Sequence, residues 1–267
     1  MTKIIGIDLG TTFSAIAVLN DLGKPEVLED PIYNKKTIPS VVYLKEKNIQ
    51  VGEKAKSMLD KDPNFTVSEI KQKIHEEVVW STIEGNWKEK STGAAKVSKG
   101  EFTPAQLSSF ILKKVAALAG ETKKVVVTVP ALFENLAREK TAQAVKLAGL
   151  ELIELIDEPV AAALHYASLE ETKGISGKIM VFDLGGGTFD VSIIDMNTTN
   201  IKDIKVITSQ GDRHVGGTDF DREICKLLNK KYKEITSVNL YENDQFSKYL
   251  NLAEQIKRVL SHETKAN

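Results

Sequence analysis

Hydrophobic and polar positions follow the same ribbon-like pattern twice, far apart in the chain. Apolar residues dominate 4–7, a polar glycine turn covers 8–12, and small and β-branched residues alternate over 13–18. The pattern returns over 178–194, again with a glycine turn between two apolar stretches. Each copy predicts a strand, a tight turn and a returning strand.

The two ribbons align residue by residue around their turns. The matching pairs are Asp8 with Asp183, Leu9 with Leu184, Gly10 with Gly185, and Phe13 with Phe189, with one residue inserted in the second turn. Each copy therefore places a carboxylate at a strand end and a glycine-rich backbone just beyond it. The separation is far longer than a solenoid period, so we interpret the pattern as an internal duplication, two lobes of like topology facing each other across a cleft.

Helical and strand patterns alternate between the two ribbons. Helices are predicted from Pro104 behind the N-cap Thr103, over 134–148 before Gly149, and over 160–167 behind Pro159. Runs of β-branched and other apolar residues predict buried strands over 125–129 and 152–156. This order predicts an α/β fold with partly parallel sheets.

Beyond the second ribbon, the pattern predicts a strand over 201–208, a polar glycine loop over 209–217, and helices to the end. Two apolar stripes on these helices are interpreted as core packing: Phe220, Ile224, Leu227 and Leu228, and then Tyr249, Ala253, Ile256 and Leu260. Residues 84–100, with polar and small side chains around Trp87, predict a surface loop.

Composition and charge narrow the class of protein. The 267 residues are 42% apolar and 27% charged, which is typical of a soluble globular protein. Lys and Arg total 36 against 37 Asp and Glu, so the net charge of -1 gives no support to nucleic-acid or membrane binding. The single cysteine, Cys225, excludes an intramolecular disulfide and fits a reducing cytosol. No signal peptide or membrane-spanning run is predicted.

The duplicated turns carry the clearest chemistry in the sequence. Glycines let a phosphate approach the backbone N–H groups, and the hydroxyls of Thr11, Thr12 and Thr188 add donors. A carboxylate beside a phosphate needs a cation between them, so Asp8 and Asp183 together predict Mg²⁺ bound through its waters. One such turn alone is more typical of a structural β-turn, whereas two turns facing one cleft favour a polyphosphate ligand.

Three further features have both a structural and a functional interpretation. Considered by itself, the sequence around Lys71 does not distinguish a functional lysine from an ordinary surface lysine. Glu158 precedes Pro159 at a helix N-terminus, where a carboxylate is favoured as a cap. The loop over 211–219 either lines the cleft or is a plain loop in which Asp219 caps the next helix. The four histidines show no metal-ligand spacing, and neither a Walker-type loop nor a Gly-x-Ser-x-Gly elbow occurs.

With these motifs in view, the chain closely resembles the ATPase domain of the heat shock protein 70 chaperone family. The matching stretches are 5–14, 126–133, 157–163, 181–192 and 211–221. Residues 128–131 and 211–221 resemble the chaperones specifically, whereas the first and fourth stretches are shared more loosely with actin and the sugar kinases. The resemblance implies an α/β, actin-like (ribonuclease H-like) ATPase fold, with two pseudo-symmetric lobes about a nucleotide cleft.

The resemblance also implies how the chain is divided. Residues 1–168 would form the first lobe, with an inserted outer subdomain around 34–100, and residues 169–267 would form part of the second lobe. The stretch over 75–122 is shorter than is usual in the family. The chain stops inside the second lobe, so we expect the later adenosine loop and the peptide-binding domain to lie outside these 267 residues.

The resemblance implies a role for each candidate site residue. The expected catalytic residues are Lys71, Glu158, Asp183, Asp8 and Asp190. Asp8 and Asp183 are the expected Mg²⁺ ligands, and Lys71 would neutralise charge on the transferring phosphoryl group. The expected nucleotide-binding residues are Gly10, Thr11, Thr12, Phe13, Gly185, Gly186, Gly187, Thr188, Gly216, Gly217, Glu254, Lys257, Arg258 and Ser261. Pro130 and Arg138 match a relay that reports the nucleotide state to the peptide-binding domain.

The function implied by the resemblance is an ATP-binding and ATP-hydrolysing module that drives binding and release of unfolded polypeptides in a cytoplasmic, monomeric stress-response chaperone. The expected cofactors are ATP or ADP with Mg²⁺, and K⁺ as a further ion. The expected partners are polypeptide clients, a J-domain co-chaperone and a nucleotide exchange factor, with no nucleic acid and no membrane. Two alternatives stay open: a sugar or small-acid kinase of this superfamily, and a non-catalytic actin-like nucleotide-binding or filament protein.

Overall fold

The chain folds into alternating strands and helices, and its computed structural model describes residues 4–46, 48–89, 98–169, 172, 176–197, 204–212, 214–240 and 246–266. The strands are β1 (Ile4–Leu9), β2 (Phe13–Leu19), β3 (Pro25–Val27), β4 (Ile38–Pro39), β5 (Val42–Lys45), β6 (Asn48–Val51), β7 (Thr66–Val67), β8 (Val78–Ser81), β9 (Asn86–Glu89), β10 (Glu101–Phe102), β11 (Lys124–Val129), β12 (Glu151–Asp157), β13 (Ser176–Leu184), β14 (Phe189–Asn197) and β15 (Lys205–Asp212). The helices are α1 (Glu53–Lys56), α2 (Pro104–Ala116), α3 (Asn135–Leu147), α4 (Glu158–Ala167), α5 (Gly217–Thr236) and α6 (Phe246–Leu260).

A six-stranded mixed sheet forms the centre of the first lobe, which we take as the elements from β1 to α4. The strand order is β12-β11-β1-β2-β3, and β4 also pairs with β2. β1 pairs antiparallel with β2 and parallel with β11, with Asp8 opposite Thr128. Because β1 and β11 run in the same direction, their carboxyl ends bring Asp8 and Thr128 to one edge of the sheet.

Alternation along β1 buries one face of this sheet beneath α2. Ile5 and Ile7 are completely or almost completely buried, and Leu107 and Ile111 of α2 belong to the same core cluster. α2 starts where the sequence predicts, because Thr103 and its partner in the first turn exchange both hydrogen bonds of a capping box. The predicted strand–helix alternation is therefore confirmed in the first lobe.

β12 differs from its prediction, because it lies at the edge of the sheet. Ile153 is 45% exposed, and Leu152 and Leu155 are only partly buried. The strand predicted over 152–156 is present, but the prediction that it is buried is wrong. An apolar run does not reveal whether its strand will lie inside a sheet or at the edge.

Two small antiparallel sheets form the outer part of the first lobe. Their strand orders are β6-β5-β7 and β10-β8-β9. The prediction of a surface loop over 84–100 is wrong, because part of this range forms a strand of the second sheet. β9 pairs with β8, and the ring of Trp87 packs edge-on against Trp80 with their centroids 5.6 Å apart. Polar neighbours hid this strand in the sequence, and residues 90–97 lie outside the described residues.

The second lobe, from β13 onward, repeats the ribbon of the first. β13, β14 and β15 form an antiparallel sheet in that order. β15 runs to Asp212 and α5 begins at Gly217, so the predicted strand over 201–208 extends further and the predicted loop over 209–217 is shorter. Residues 201–203 of that predicted strand lie outside the described residues.

Apolar side chains of the second lobe are less covered than their sequence pattern predicts. Phe220 and Leu227 of α5 are 46% and 62% exposed, so their interpretation as core packing is wrong. In α6, Ala253 is fully buried but Leu260 is 46% exposed. No helix within the described residues is both long enough and apolar enough to cross a membrane.

Candidate nucleotide site

The two glycine turns face each other across a cavity of about 340 Å³ between the lobes, which we call the phosphate cavity. The predicted site residues that line it are Asp8, Gly10, Thr11, Thr12, Phe13, Lys71, Glu158, Asp183, Gly185, Gly186 and Thr188. Thr128 and Ala161 complete the lining. Both copies of the duplicated motif therefore contribute to one site.

Lys71 and Glu158 form an ion pair beside these turns. Nζ of Lys71 lies 2.5 Å from Oε1 of Glu158, and the two side chains are 10% and 15% exposed. Burial by itself lowers the pKa of Lys71, but the carboxylates of Glu158, Asp8 and Asp183 outweigh burial and raise it. The lysine therefore keeps its proton and carries a positive charge into the cavity.

The carboxylates of the cavity outnumber its lysine. Burial raises the pKa of both Glu158 and Asp183, although Lys71 opposes the shift in each case. The hydroxyl of Thr128 donates to Oδ1 of Asp8 at 2.8 Å and so orients that carboxylate. Three acidic groups against one base leave excess negative charge, which a bound cation would relieve.

Asp8 and Asp183 fit a hydrated Mg²⁺ better than a metal held by protein ligands alone. Among the described residues, no group of three or more His, Cys, Asp and Glu side chains could hold a metal ion. Mg²⁺ typically keeps several waters and binds one or two carboxylates together with phosphate oxygens. Two carboxylates bordering a roomy cavity meet that requirement.

Glycine backbone allows the two turns and the start of α5 to approach closely. A Cβ at Gly186 would lie 2.5 Å from Cγ2 of Thr12, which is well inside van der Waals contact. The N–H groups of Gly217 and Thr218 donate to the carbonyl oxygens of Gly185 and Gly186 at 2.9 and 2.8 Å. The loop before α5 is thereby joined to the second turn.

A second cavity of about 270 Å³, which we call the outer cavity, shares Phe13 with the phosphate cavity. Nζ of Lys56 lies 5.2 Å from the centroid of the Phe13 ring, and the guanidinium of Arg258 lies 5.6 Å from it. Lys56 also pairs with Glu254 at 2.6 Å across the cleft. An aromatic ring flanked by cations and a carboxylate suits a flat heteroaromatic ligand with hydroxyl groups.

Lys257 connects α6 to α5 at the wall of the outer cavity. Its Nζ donates to the carbonyl oxygen of Gly217 at 2.7 Å and lies 2.8 Å from Oδ1 of Asp221. Burial raises the pKa of Asp221, and Lys257 opposes that shift. The two helices are therefore held together at the point where they line the cavity.

Four predicted site residues lie outside both cavity linings. Asp190 is buried in β14, directly opposite Asp183. Gly187 and Gly216 pack against each other, since a Cβ at Gly216 would lie 2.5 Å from Cα of Gly187. Ser261 follows the end of α6 and is exposed, and its hydroxyl donates to the carbonyl oxygen of Lys257. Ligand contacts by these four residues stay predictions.

Contacts distinguish between the interpretations that the sequence left open. Asp157, not Glu158, is the N-cap residue of α4. Glu158 is the first residue of the helix, and its carboxylate accepts a hydrogen bond from Lys71. Gly216, not Asp219, is the N-cap residue of α5. The loop ends in the outer cavity lining through Gly217, while Arg213, within the same loop, lies outside the described residues.

Several side chains at the cleft were missed in the sequence because their partners are distant in the chain. Lys56 and Glu254 are separated by 198 positions, and Arg222 and Glu69 by 153. Thr128 could have been found from the sequence, because a parallel pairing of its strand with β1 places it beside Asp8. No local pattern distinguishes Lys56 or Arg222 from other basic residues.

Two ribbons around a cleft, each with a glycine turn and a carboxylate, are characteristic of the actin-like ATPase fold. The sequence matches the family model of Hsp70 proteins over residues 4–267, and the chain belongs to that family. It is 36% identical over 264 residues to proteins named Chaperone protein DnaK from Thermotoga petrophila, Thermotoga maritima and Thermotoga neapolitana. The match covers 97% of this chain but 41% of each relative. The resemblance seen in the sequence is thus confirmed.

Proposed function

We propose that this chain binds ATP with Mg²⁺ and hydrolyses it, as the ATPase module of a molecular chaperone that binds and releases unfolded polypeptides. The observation that carries the proposal is a protonated, buried Lys71 set between two facing glycine turns and two carboxylates. Membership of the Hsp70 family supports the same conclusion and does not support the sugar-kinase alternative.

The residues of the phosphate cavity have separate parts in the proposed reaction. Backbone N–H groups of the glycine turns, with the hydroxyls of Thr11 and Thr12, bind phosphate oxygens. Lys71 donates hydrogen bonds to the transferring phosphoryl group, whose negative charge it offsets. Glu158 accepts a hydrogen bond from the attacking water, and Asp190 supports the charge balance behind Asp183.

The proposed cofactor Mg²⁺ would be held by Asp8 and Asp183 through its waters. When bound, it would supply positive charge that stabilises the transferring and leaving phosphate groups. K⁺, expected from the resemblance, is tested by repeating nucleotide titrations in sodium and in potassium buffers.

The outer cavity is the proposed site for adenine and ribose. Phe13, Glu254, Lys257 and Arg258 line it, and their aromatic, acidic and basic groups match a purine base and a sugar. Ser261 would join them through a change in the direction of its hydroxyl.

The remaining expectations form part of the same proposal. We propose a lobe boundary between residues 168 and 169, with residues around 34–100 as an outer subdomain; their separate small sheets support this division. Polypeptide clients, a J-domain co-chaperone and a nucleotide exchange factor are the proposed partners of a monomeric, cytoplasmic protein. Sedimentation with ATP tests the monomer against a filament.

The test is calorimetric titration with Mg-ATP and Mg-ADP, followed by single-turnover hydrolysis. We expect saturable binding, and we expect Lys71→Ala to reduce hydrolysis at least 100-fold, on the order of what an electrostatic catalytic group contributes. Lys73→Ala is the matched control, because Lys73 belongs to the same turn but pairs with Glu76 away from the cavity. Equal turnover in both variants, or no binding by the unmodified chain, would contradict the proposal.

A further inference from the structure

The second lobe contacts the residue that immediately precedes the turn carrying Lys71. This 3₁₀ turn, Ile70–Lys73, which we call the lysine turn, belongs to the first lobe and follows Glu69. Nη2 of Arg222, in α5 of the second lobe, donates to Oε2 of Glu69 at 2.8 Å. Nη1 of the same guanidinium donates to Oδ1 of Asp219 at 2.7 Å, so the arginine is fixed within its own helix.

A second contact crosses the cleft on the far side of Lys71. Nε2 of Gln72 donates to the carbonyl oxygen of Gly187, in the second glycine turn, at 3.1 Å. A Cβ at Gly187 would lie 2.7 Å from Cγ2 of Thr11 and would also collide with the amide of Gln72. The lysine turn therefore touches the second lobe just before and just after its functional residue.

The backbone at Glu69 makes this turn dependent on tertiary contacts. Glu69 has φ 55° and ψ 27°, a left-handed conformation that costs a non-glycine residue about 1 kcal/mol. Its carbonyl oxygen accepts the N–H of Gln72 at 3.1 Å, so the shape of the lysine turn begins with this residue. When the carboxylate of Glu69 loses its partner in α5, nothing else among the described contacts of that side chain opposes relaxation.

We propose that Arg222 and Gln72 are positioning residues, which place Lys71 in the phosphate cavity only while the two lobes are in contact. Lys71 is the residue that acts on phosphate, and its ammonium is oriented by Glu158 within the first lobe. The two cross-cleft contacts instead orient its backbone. This inference rests on the proposed ATPase function for its effect on rate, but not for its effect on the turn itself.

The Arg222 contact is suited to positioning because it contributes little to global stability. Arg222 and Glu69 are 36% and 26% exposed, and ion pairs of this exposure typically contribute about 0–1 kcal/mol. Its removal should therefore leave the chain folded. A displacement of Lys71 by about 1 Å, in contrast, is sufficient to slow a positioned reaction by about 100-fold.

The experiment compares Arg222→Glu, Glu69→Arg and the double charge swap in two measurements. The first is hydrogen exchange of a peptide spanning the lysine turn, in the absence of nucleotide. The second is single-turnover hydrolysis at saturating Mg-ATP, with the nucleotide Kd measured separately. Lys226→Glu is the matched control, because Lys226 lies in the same helix and pairs with Glu223 at the exposed surface.

We expect each single variant to exchange faster in the lysine turn and to hydrolyse ATP about tenfold more slowly. The double swap should recover part of both losses, because the opposite charges again face each other across the cleft, while the new carboxylate at position 222 lies beside Asp219. Gln72→Ala should act in the same direction through the other contact. Lys226→Glu should resemble the unmodified chain in exchange and in rate.

Two results would overturn the inference. One is unchanged exchange and rate in both single variants; the other is failure of the double swap to recover either property, which would mean that the residues act independently. If the unmodified chain neither binds nor hydrolyses Mg-ATP, the proposed function fails. The exchange measurement still decides whether the second lobe holds the lysine turn in that case.

Discussion

At the scale of single residues, the site is defined by charges that oppose one another at short range. Asp183 faces Lys71 and Asp8 in the phosphate cavity, and burial raises its pKa above the ordinary value of 3.8. The folded chain therefore binds a proton at Asp183 more readily than the unfolded chain does. Stability without ligand should fall as pH rises from the ordinary pKa through the raised one.

Asp183→Asn should stabilise the chain in the absence of ligand, because it removes this unfavourable charge. We expect the unfolding temperature at pH 7 to rise by about 2 °C, a small value because the group is partly exposed and screened by solvent. The loss of stability as the pH rises above the ordinary pKa of 3.8 should also become shallower. Scanning calorimetry at several pH values measures both effects, and a lower unfolding temperature in the variant would argue against them.

Gly186→Ala tests the close approach of the two glycine turns. The new Cβ would lie 2.5 Å from Cγ2 and 2.8 Å from Cβ of Thr12, so one turn must move. We expect the Kd for Mg-ATP to increase at least tenfold, which corresponds to a loss of about 1.4 kcal/mol in binding free energy. Gly6→Ala is the control, because its Cβ would come no nearer than 4.0 Å to a neighbouring atom, the carbonyl oxygen of Ala17. Equal affinity in the two variants would exclude a role for this close approach.

At the scale of whole elements, the two lobes contain the same strand–turn–strand ribbon, but equivalent apolar positions of the ribbon are buried in the first lobe and exposed in the second. Ile7 of β1 is 1% exposed beneath α2, whereas Phe182, the equivalent position in β13, is 62% exposed. α4 contacts the sheet of the second lobe. Within the described residues, Met180, Phe182 and Leu184 leave an apolar strip on β13 open to solvent.

Phe182→Thr should lower the fluorescence of a bound hydrophobic dye, because it removes the largest side chain of this strip. We expect stability to fall by about 0.5–1.5 kcal/mol, because the exposed ring also packs against Phe189 with the centroids 4.8 Å apart. The equivalent change in the first lobe, Ile7→Thr, should cost about 2–4 kcal/mol because it creates a cavity and buries a hydroxyl. Urea unfolding measures both variants, and equal losses would contradict the assignment of the two faces.

At the scale of the whole molecule, polar contacts join the lobes across the cleft. The ammonium of Lys56 lies 2.6 Å from a carboxylate oxygen of Glu254, and the amide of Asn251 donates to Asp60 at 2.9 Å. Contacts of this kind are individually weak because water competes for the same groups. A ligand that touches both lobes should therefore add substantially to the stability of the chain.

Mg-ATP should raise the free energy of unfolding by about 4 kcal/mol at a ligand concentration 1,000 times its Kd. Most of this gain should disappear when EDTA removes Mg²⁺, because ATP then brings its charge next to Asp8 and Asp183 without a counter-ion. Thermal unfolding with ATP, with and without EDTA, measures the difference. Equal stabilisation under the two conditions would mean that the cation does not link the carboxylates to the phosphates.

The local pattern of the sequence determined the duplicated turns and the main strands and helices around them. Alternation identified β1 and β13, and Thr103 marked the start of α2, because strand period and helix capping depend on neighbouring residues. The pairing of Asp8 with Asp183 predicted a polyphosphate ligand with Mg²⁺. The resemblance of the chain to Hsp70 proteins supplied the proposed roles of Lys71 and Glu158. Their structural interpretations, a surface lysine and a helix cap, were equally compatible with the neighbouring residues.

Only the tertiary structure decided which side chains meet across the cleft and which apolar faces are covered. Arg222 reaches Glu69, and Lys56 reaches Glu254, through contacts between lobes that no local periodicity encodes. The same limit explains the exposed Phe182, because an apolar strand has the same pattern whether or not a helix covers it. Chemistry at each turn depends on nearby residues, whereas the site that joins the turns depends on how the whole chain packs.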